Sequence, residues 1–260
     1  MSLDISHILN GWSYKPGEVT ARRVRGDDGR DKIQLRLDLG LLQMEASGRP
    51  DGQRPHGCES LLAHYQQQLQ RHREEHSGDE VFVLDEQACE LLRAEAVMYY
   101  HRYLAEFILE DFKAVERDAM RNLRLMDFCK AYAAEEADRH ILEQYRPYVM
   151  MMCVRARARI ALGENRPKAA LAALKTGIEA IGRFYRRTGR EELVEKSGEI
   201  IVLQAMAKDV EARIPVDPAQ RLRKQLDKAV QAEHYEEAAA IRDRLRRMTG
   251  EDQRPMPPII

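Results

Sequence analysis

From about residue 59 to residue 213, apolar residues recur at intervals of three and four in one segment after another. This is the spacing of one face of an α-helix. Aromatic residues make up only 6% of the chain, which also favours helices over sheets. The sequence therefore predicts a mainly α-helical protein, with helices at about 59–76, 85–109, 113–134, 137–163, 167–187 and 190–213.

Two arrangements of these helices remain open. One is a helical bundle or irregular stack of helix hairpins, and the other is a distantly tetratricopeptide-like array. The Ala-rich helix after Gly163 is typical of the second arrangement. However, the turns predicted at Glu110-Asp111 and Glu164-Asn165 lie 54 residues apart, whereas a tetratricopeptide repeat spans about 34 residues. The predicted helices are thus too long for a regular array.

The first 57 residues have a different pattern. Alternating apolar positions predict a strand with one buried face, and they are Ile33, Leu35, Leu37 and Leu39. Asp28-Gly29 separates this strand from residues 19–25, a spacing typical of a β-hairpin. Residues 46–57 contain two prolines and three glycines and are expected to form a loop. We therefore expect a small N-terminal β-hairpin and loop region over 1–57.

The end of the chain predicts two short helices joined at Glu233-His234. Asp217 is suited to cap the first helix, and Pro218 fits its first position. Apolar residues at helical spacing lie on one face of each helix: Leu222, Leu226, Ala229 and Val230 on the first, and Tyr235, Ala238, Ile241, Leu245 and Met248 on the second. Two such short helices leave apolar surface uncovered, so we expect them to pack on the rest of the chain, on a second copy or on a partner.

This terminal segment resembles the UVR motif. The motif is shared by the excision-repair nuclease subunits B and C, class-C Clp ATPases and an activator of bacterial protein-arginine kinase. In those families the hairpin pairs with another such hairpin. The resemblance implies partner binding through twelve residues: Leu222, Leu226, Ala229, Glu233, Tyr235, Glu236, Ala238, Ala239, Ile241, Arg242, Asp243 and Leu245.

The resulting organisation has four parts. A helical scaffold over 58–214 follows the N-terminal region, the UVR-like hairpin covers 215–248, and a disordered tail covers 249–260. We expect a non-catalytic protein–protein interaction adaptor without a cofactor. Its expected partner carries a matching hairpin, either an excision-repair subunit, a Clp-type ATPase or a second copy.

Composition sets further bounds. The net charge of −1 argues against a dedicated duplex-DNA binder, because phosphate contacts supply most of the affinity of such proteins. The four cysteines, Cys58, Cys89, Cys129 and Cys153, form no CxxC pair, and residues 1–12 do not resemble a signal peptide. No run of about 18 apolar residues is present. We therefore expect a cytoplasmic, bacterial-type protein with free thiols.

Two other functions follow from local patterns. His72, Glu75 and His76 match the H-x-x-E-H zinc motif, which suggests a metal-dependent hydrolase. A solvated helix end explains the same residues. Basic residues also concentrate in the predicted β-hairpin, namely Arg22, Arg23, Arg25, Arg30, Lys32 and Arg36. They suggest direct nucleic-acid binding, whereas neighbouring acidic residues favour a salt-bridged hairpin.

Overall fold

The computed structural model describes residues 4–75, 81–214 and 218–249. The elements of the N-terminal part are α1 (Ser6–Leu9), β1 (Thr20–Arg25), β2 (Asp31–Leu37), β3 (Gly40–Glu45) and α2 (Leu61–Glu75). The following helices are α3 (Glu86–Ile108), α4 (Phe112–Tyr132), α5 (Glu136–His140), α6 (Arg146–Gly163), α7 (Pro167–Arg187), α8 (Leu193–Lys196), α9 (Gly198–Arg213), α10 (Pro218–Gln231) and α11 (Tyr235–Thr249). Short 3-10 helices cover Pro55–Gly57 and Glu143–Tyr145.

The prediction of a mainly helical chain with N-terminal antiparallel strands and a C-terminal helix pair is confirmed. The chain divides into two compact units between Glu211 and Ala212. Among the described residues, no helix combines the length and the apolar character needed to cross a membrane.

The N-terminal strands form an antiparallel sheet in the order β1-β2-β3. Ile33 and Leu35 are 0% and 1% exposed, as the alternating pattern predicts. The strand includes Leu37, but its predicted continuation to Leu39 is wrong, because the chain reverses at 38–39 to begin β3. Leu39 is therefore 96% exposed rather than buried. The third strand extends the predicted hairpin into a sheet.

One face of the sheet packs on α3. Ile33, Leu35 and Met44 form an apolar cluster with Ala105 of this helix. Arg23 of β1 also pairs with Asp111, the cap of α4, at 2.9 Å. The sheet is thus fixed to the turn between α3 and α4.

The long helices pack in sequence, α3 on α4, α4 on α6 and α6 on α7. Two of the turns between them share one geometry. Glu110 and Asn165 adopt positive φ values of 58° and 55°. In each turn the next residue donates its backbone N–H to a carbonyl five positions earlier, Asp111 to Glu106 and Arg166 to Ala161. This is the Schellman ending of a helix, which satisfies carbonyls left free by its last turn.

The predicted helix at 137–163 is wrong in its first part. Helix α6 starts at Arg146, with Pro147 in its first turn, and α5 and a 3-10 turn precede it. Proline is disfavoured inside a helix because it lacks an N–H and its ring clashes with the preceding turn. The pattern of apolar residues continued across a boundary that Pro147 marks.

The predicted helix at 190–213 is also interrupted. Helix α9 begins after Ser197, whose hydroxyl accepts a hydrogen bond from the N–H of Ile200 at 3.3 Å. Thr188 donates its hydroxyl to the carbonyl of Phe184 at 3.0 Å and so completes the end of α7.

A buried ionic network connects the N-terminal loop to α3 and α4. Glu95 of α3 is fully buried and accepts backbone hydrogen bonds from Leu61 at 2.8 Å and Leu62 at 3.2 Å. It also pairs with Arg121 of α4 and lies 3.1 Å from Nε of Arg49. The carboxylate therefore supplies acceptors for the first free amides of α2.

A second buried pair joins the same two helices, with Arg102 seven residues after Glu95 on α3 and Asp118 three residues before Arg121 on α4. Arg102 donates Nε and Nη2 to the two carboxylate oxygens of Asp118, at 2.6 and 3.0 Å. Its Nη1 atom donates to the backbone carbonyls of Glu45 and Gly48, at 3.0 and 2.7 Å. Arg102 thus links α4 to the loop that follows the sheet.

Candidate functional site

The C-terminal unit contains the two predicted helices, α10 and α11, which pack on each other. Pro218 is the first residue of α10, as predicted. The expected cap, Asp217, lies outside the described residues. In α11 the acidic residues Glu236 and Glu237 lie in the first turn, and Arg246 and Arg247 lie in the last. This arrangement of charges favours the helix dipole.

The turn between α10 and α11 has the same geometry as the two turns described above. Glu233 has a φ of 60°, and its N–H donates to the carbonyl of Val230 at 3.1 Å. His234 donates its N–H to the carbonyl of Ala229 at 2.9 Å, and its own carbonyl accepts the first hydrogen bond of α11, from Ala238 at 3.0 Å. One Schellman ending therefore sets how the second helix leaves the first.

The apolar faces of the two helices are unequally covered. Leu222, Ala229 and Ala238 are buried, at 8%, 5% and 7% exposure. Four other apolar residues of the predicted partner-binding set are half-buried, namely Leu226, Ala239, Ile241 and Leu245. The structure thus brings these residues together at the faces of one hairpin and leaves several of them accessible.

Three apolar side chains of the hairpin are largely exposed. Tyr235 is 67% exposed, and Val230 and Met248 are each 50% exposed. Val230 and Met248 belong to the predicted apolar faces but not to the twelve predicted binding residues. Their helical spacing could have identified them from the sequence. Because they are exposed, they are candidate contact residues together with Tyr235.

Charged side chains surround the apolar residues of the hairpin. Glu233, Glu236, Arg242 and Asp243 are all exposed. Arg242 donates Nε and Nη2 to Oδ1 of Asp243, at 3.2 and 3.1 Å. His234 lies 3.5 Å from the carboxylate of Glu237. The hairpin therefore combines accessible apolar side chains with a polar rim, a composition typical of a protein-binding surface.

The zinc-like motif lies at the end of α2. The His72 ring packs edge-on against Phe82, with 6.0 Å between ring centroids, and Glu75 is exposed. His76 is outside the described residues. Within the described parts of the chain, no group of three or more His, Cys, Asp or Glu side chains is placed to hold a metal ion.

The basic residues of the N-terminal strands have partners within the chain. Arg22 donates to the side chain of Gln34 at 2.7 Å and lies over the Trp12 ring at 4.1 Å. Arg23, Arg25, Arg30 and Lys32 pair with carboxylates, and Arg36 donates to backbone carbonyls. These contacts agree with a salt-bridged hairpin, which is one of the two alternatives that the sequence left open.

Comparison with known proteins finds one similarity, in the C-terminal unit. Neither a curated protein nor a solved structure matches the chain significantly. Residues 219–248 match the family model of the UvrB/uvrC motif. The matched residues coincide with the hairpin of α10 and α11, so the predicted resemblance is confirmed. The C-terminal helix pair is thus a UVR motif, a kind of hairpin that generally mediates protein–protein interaction.

Proposed function

We propose that this protein is a non-catalytic adaptor that binds another protein through the hairpin of α10 and α11. One observation carries the proposal: the segment that matches the UVR motif forms a hairpin whose apolar side chains are only partly covered. Burying such side chains in a complex is favourable because it removes apolar surface from water.

Tyr235 is the expected centre of the contact. A tyrosine offers a large rigid apolar ring and a polar hydroxyl, which is why this residue often dominates the energy of interfaces. The neighbouring Ala239 and Ala240 have small side chains that are not fully buried, so a partner helix can approach the backbone of α11 closely. The surface is suited to another helix rather than to an extended peptide.

The proposed partner is a protein that carries a matching helical hairpin. The resemblance supports an excision-repair subunit, a Clp-type ATPase or a second copy of this chain. Glu233, Glu236, Arg242 and Asp243 would then set the register of the two hairpins, because charged groups at a rim select partners more than they add affinity. We place this interaction in the bacterial cytoplasm, where such partners act.

The test compares two exposed apolar side chains in the full-length protein. Tyr235→Ala removes the exposed ring from the hairpin, whereas Leu39→Ala removes a 96% exposed side chain from the turn between β2 and β3. Partners are captured by affinity purification, identified by mass spectrometry and then titrated in purified form. Sedimentation of the protein alone measures self-association.

We expect Tyr235→Ala to weaken binding about 30-fold, the loss typical of an interface hot spot of about 2 kcal/mol. Leu39→Ala should bind as the wild type does. Equal affinity of the Tyr235→Ala variant and the wild type for every partner would overturn the proposal. Loss in both variants would also overturn it, since the effect would not be specific to the hairpin.

A further inference from the structure

A polar cavity of about 220 Å³ lies in the N-terminal unit, beside the start of α2 and between α3 and α4. A second cavity of about 420 Å³ lies against the loop after the sheet. Gly48 and Glu59 line both cavities, so the two adjoin each other. Neither belongs to the hairpin site described above.

Positive charge predominates in the smaller cavity. Four guanidinium groups line it, those of Arg102, Arg117, Arg121 and Arg124, against the two carboxylates of Glu59 and Asp118. Arg102 is fully engaged by Asp118 and by backbone carbonyls. Arg117 is likewise engaged, since it donates to the carboxylates of Asp118 and Glu106 at 2.7 and 2.8 Å. Arg121 and Arg124 therefore decide what the cavity can bind.

Two of these arginines have unused hydrogen-bond donors. Arg121 is 7% exposed, and its Nε–H is buried without an acceptor among the described residues. Arg124 is exposed and has no carboxylate within ion-pair distance in the part of the chain that the structure describes. A buried donor without an acceptor costs free energy, so an acceptor placed beside Arg121 would be stabilising.

An aromatic ring holds the arginines in place. Tyr99 is 5% exposed and lines the cavity. The guanidinium carbon of Arg121 lies 4.0 Å from the centre of its ring and that of Arg102 lies 4.9 Å away. Such cation–π contacts orient the planar groups. Within the described residues, the Tyr99 hydroxyl makes no hydrogen bond and is a further donor for a bound molecule.

The electrostatics of Arg121 agree with this geometry. Burial, together with the nearby charges of Arg124 and Arg49, lowers the pKa of Arg121 to about 9. The positive groups therefore repel one another across the cavity wall. A bound anion would reduce this repulsion.

We propose that this cavity binds a small, multiply charged oxyanion through Arg121, Arg124 and the Tyr99 hydroxyl. Guanidinium groups recognise phosphoryl and carboxylate oxygens by the same charge-assisted hydrogen bonds. The ligand is accordingly a phosphorylated small molecule or a polycarboxylate. The adjoining larger cavity, lined by Arg30, Arg49 and Arg54 among others, has room for the rest of such a molecule.

The test titrates the full-length protein with inorganic phosphate, pyrophosphate and citrate into the millimolar range by calorimetry. Chloride keeps the ionic strength constant, so that general screening does not contribute. We expect saturable binding of at least one anion. Tighter binding of pyrophosphate identifies a phosphoryl ligand, whereas tighter binding of citrate identifies a polycarboxylate. Absence of saturable binding for all three anions overturns the proposal.

Matched variants locate the site. Arg124→Gln removes one exposed charge from the cavity, and Lys113→Gln removes one exposed charge from the same helix, α4, away from it. We expect Arg124→Gln to weaken binding about tenfold or more, as for the loss of a charge-assisted hydrogen bond, and Lys113→Gln to have no effect. Equal losses in the two variants would show binding to general positive charge and overturn the proposal.

A second variant tests the hydroxyl without disturbing the ring. Tyr99→Phe keeps both cation–π contacts, so the fold should be retained, as circular dichroism can check. We expect its affinity for the best anion to fall several-fold. Unchanged affinity in both Tyr99→Phe and Arg124→Gln would place the anion elsewhere and contradict the assignment.

Discussion

Val154 of α6 occupies the space that a side chain on Gly177 of α7 would need: its Cγ1 atom lies 2.6 Å from the position of a β-carbon built on Gly177. The two helices approach closely at this point because residue 177 has no side chain. Val154 is itself only 9% exposed, so it has little room to move away.

The first prediction concerns this contact. Gly177→Ala should lower the free energy of unfolding by about 1–3 kcal/mol, because overpacking a close contact outweighs the gain of about 1 kcal/mol in helix propensity. Gly182→Ala is the control in the same helix, since the atom nearest to its β-carbon would belong to the Arg186 side chain, at 3.5 Å. That variant should be about 0.5–1 kcal/mol more stable than the wild type. Denaturant unfolding measures both; a Gly177→Ala protein as stable as Gly182→Ala would contradict the close contact.

The second prediction concerns the turn of the hairpin. Glu233 adopts a φ of 60°, a conformation that glycine adopts without the steric cost of a β-carbon. Glu233→Gly should therefore stabilise the hairpin by up to about 1 kcal/mol, and Glu233→Val should destabilise it. Hydrogen exchange of the α10 and α11 amides reports the change. If the carboxylate also contacts the partner, Glu233→Gly should weaken binding while the hairpin becomes more stable. Faster hydrogen exchange of these amides in Glu233→Gly than in the wild type would contradict the positive φ at this turn.

The third prediction is a dependence of stability on pH. Burial, together with the charge of Asp118, raises the pKa of Glu106 from 4.5 to about 8. The folded protein therefore keeps a proton that the unfolded chain releases between these values. The contribution of this group to the free energy of unfolding is complete below pH 4.5 and is lost as the pH rises through about 8.

Glu106→Gln tests this dependence because the amide does not titrate. The free energy of unfolding of the variant, relative to that of the wild type, should increase as the pH rises across this window. Denaturant unfolding at a series of pH values measures the difference. Parallel curves for the two proteins would show that Glu106 does not hold the proton.

The fourth prediction concerns thiol reactivity. Burial raises the pKa of Cys89 to about 11 and that of Cys129 to about 12, and it also raises the pKa of Cys153. The thiolate is the reactive form, and all three side chains are buried. Iodoacetamide at mildly alkaline pH should therefore modify Cys58 in the folded protein and all four cysteines after denaturation. Mass spectrometry of peptides shows the sites; modification of Cys129 at the rate of Cys58 would contradict the packing.

Local patterns predicted most of the helices because their signals lie within a few residues. The predicted range of α7, 167–187, agrees with the structure. The start of α3 is likewise set by neighbouring residues, since Asp85 accepts a hydrogen bond from the N–H of Ala88 at 2.7 Å. The errors came where an apolar pattern continued through a boundary, as at Pro147 and Ser197. An apolar pattern shows which face of a helix is buried, but it does not show where one helix ends and the next begins.

The third strand was not predicted as a separate element for a related reason. The reversal at Asp38-Leu39 has no Asn-Gly or Asp-Gly signal. The hairpin site was more accessible to prediction, because the UVR-like residues are contiguous and their turn is local. The cavity was not, since Gly48, Tyr99 and Arg121 meet only after the loop that follows the sheet, α3 and α4 have packed. Contacts between distant segments produce no periodic pattern in a sequence.

The position of Glu95 also bears on the order in which the protein forms during synthesis. The chain leaves the ribosome from its N-terminus, so Leu61 and Leu62 emerge before the carboxylate that accepts their N–H groups. The arginine that neutralises this carboxylate, Arg121, follows 26 residues later. Until then the two amides remain bound by water, and Arg49 is the only one of the two arginines beside Glu95 that has been synthesised. Translation must therefore proceed well into α4 before the first residues of the protein can reach their final structure.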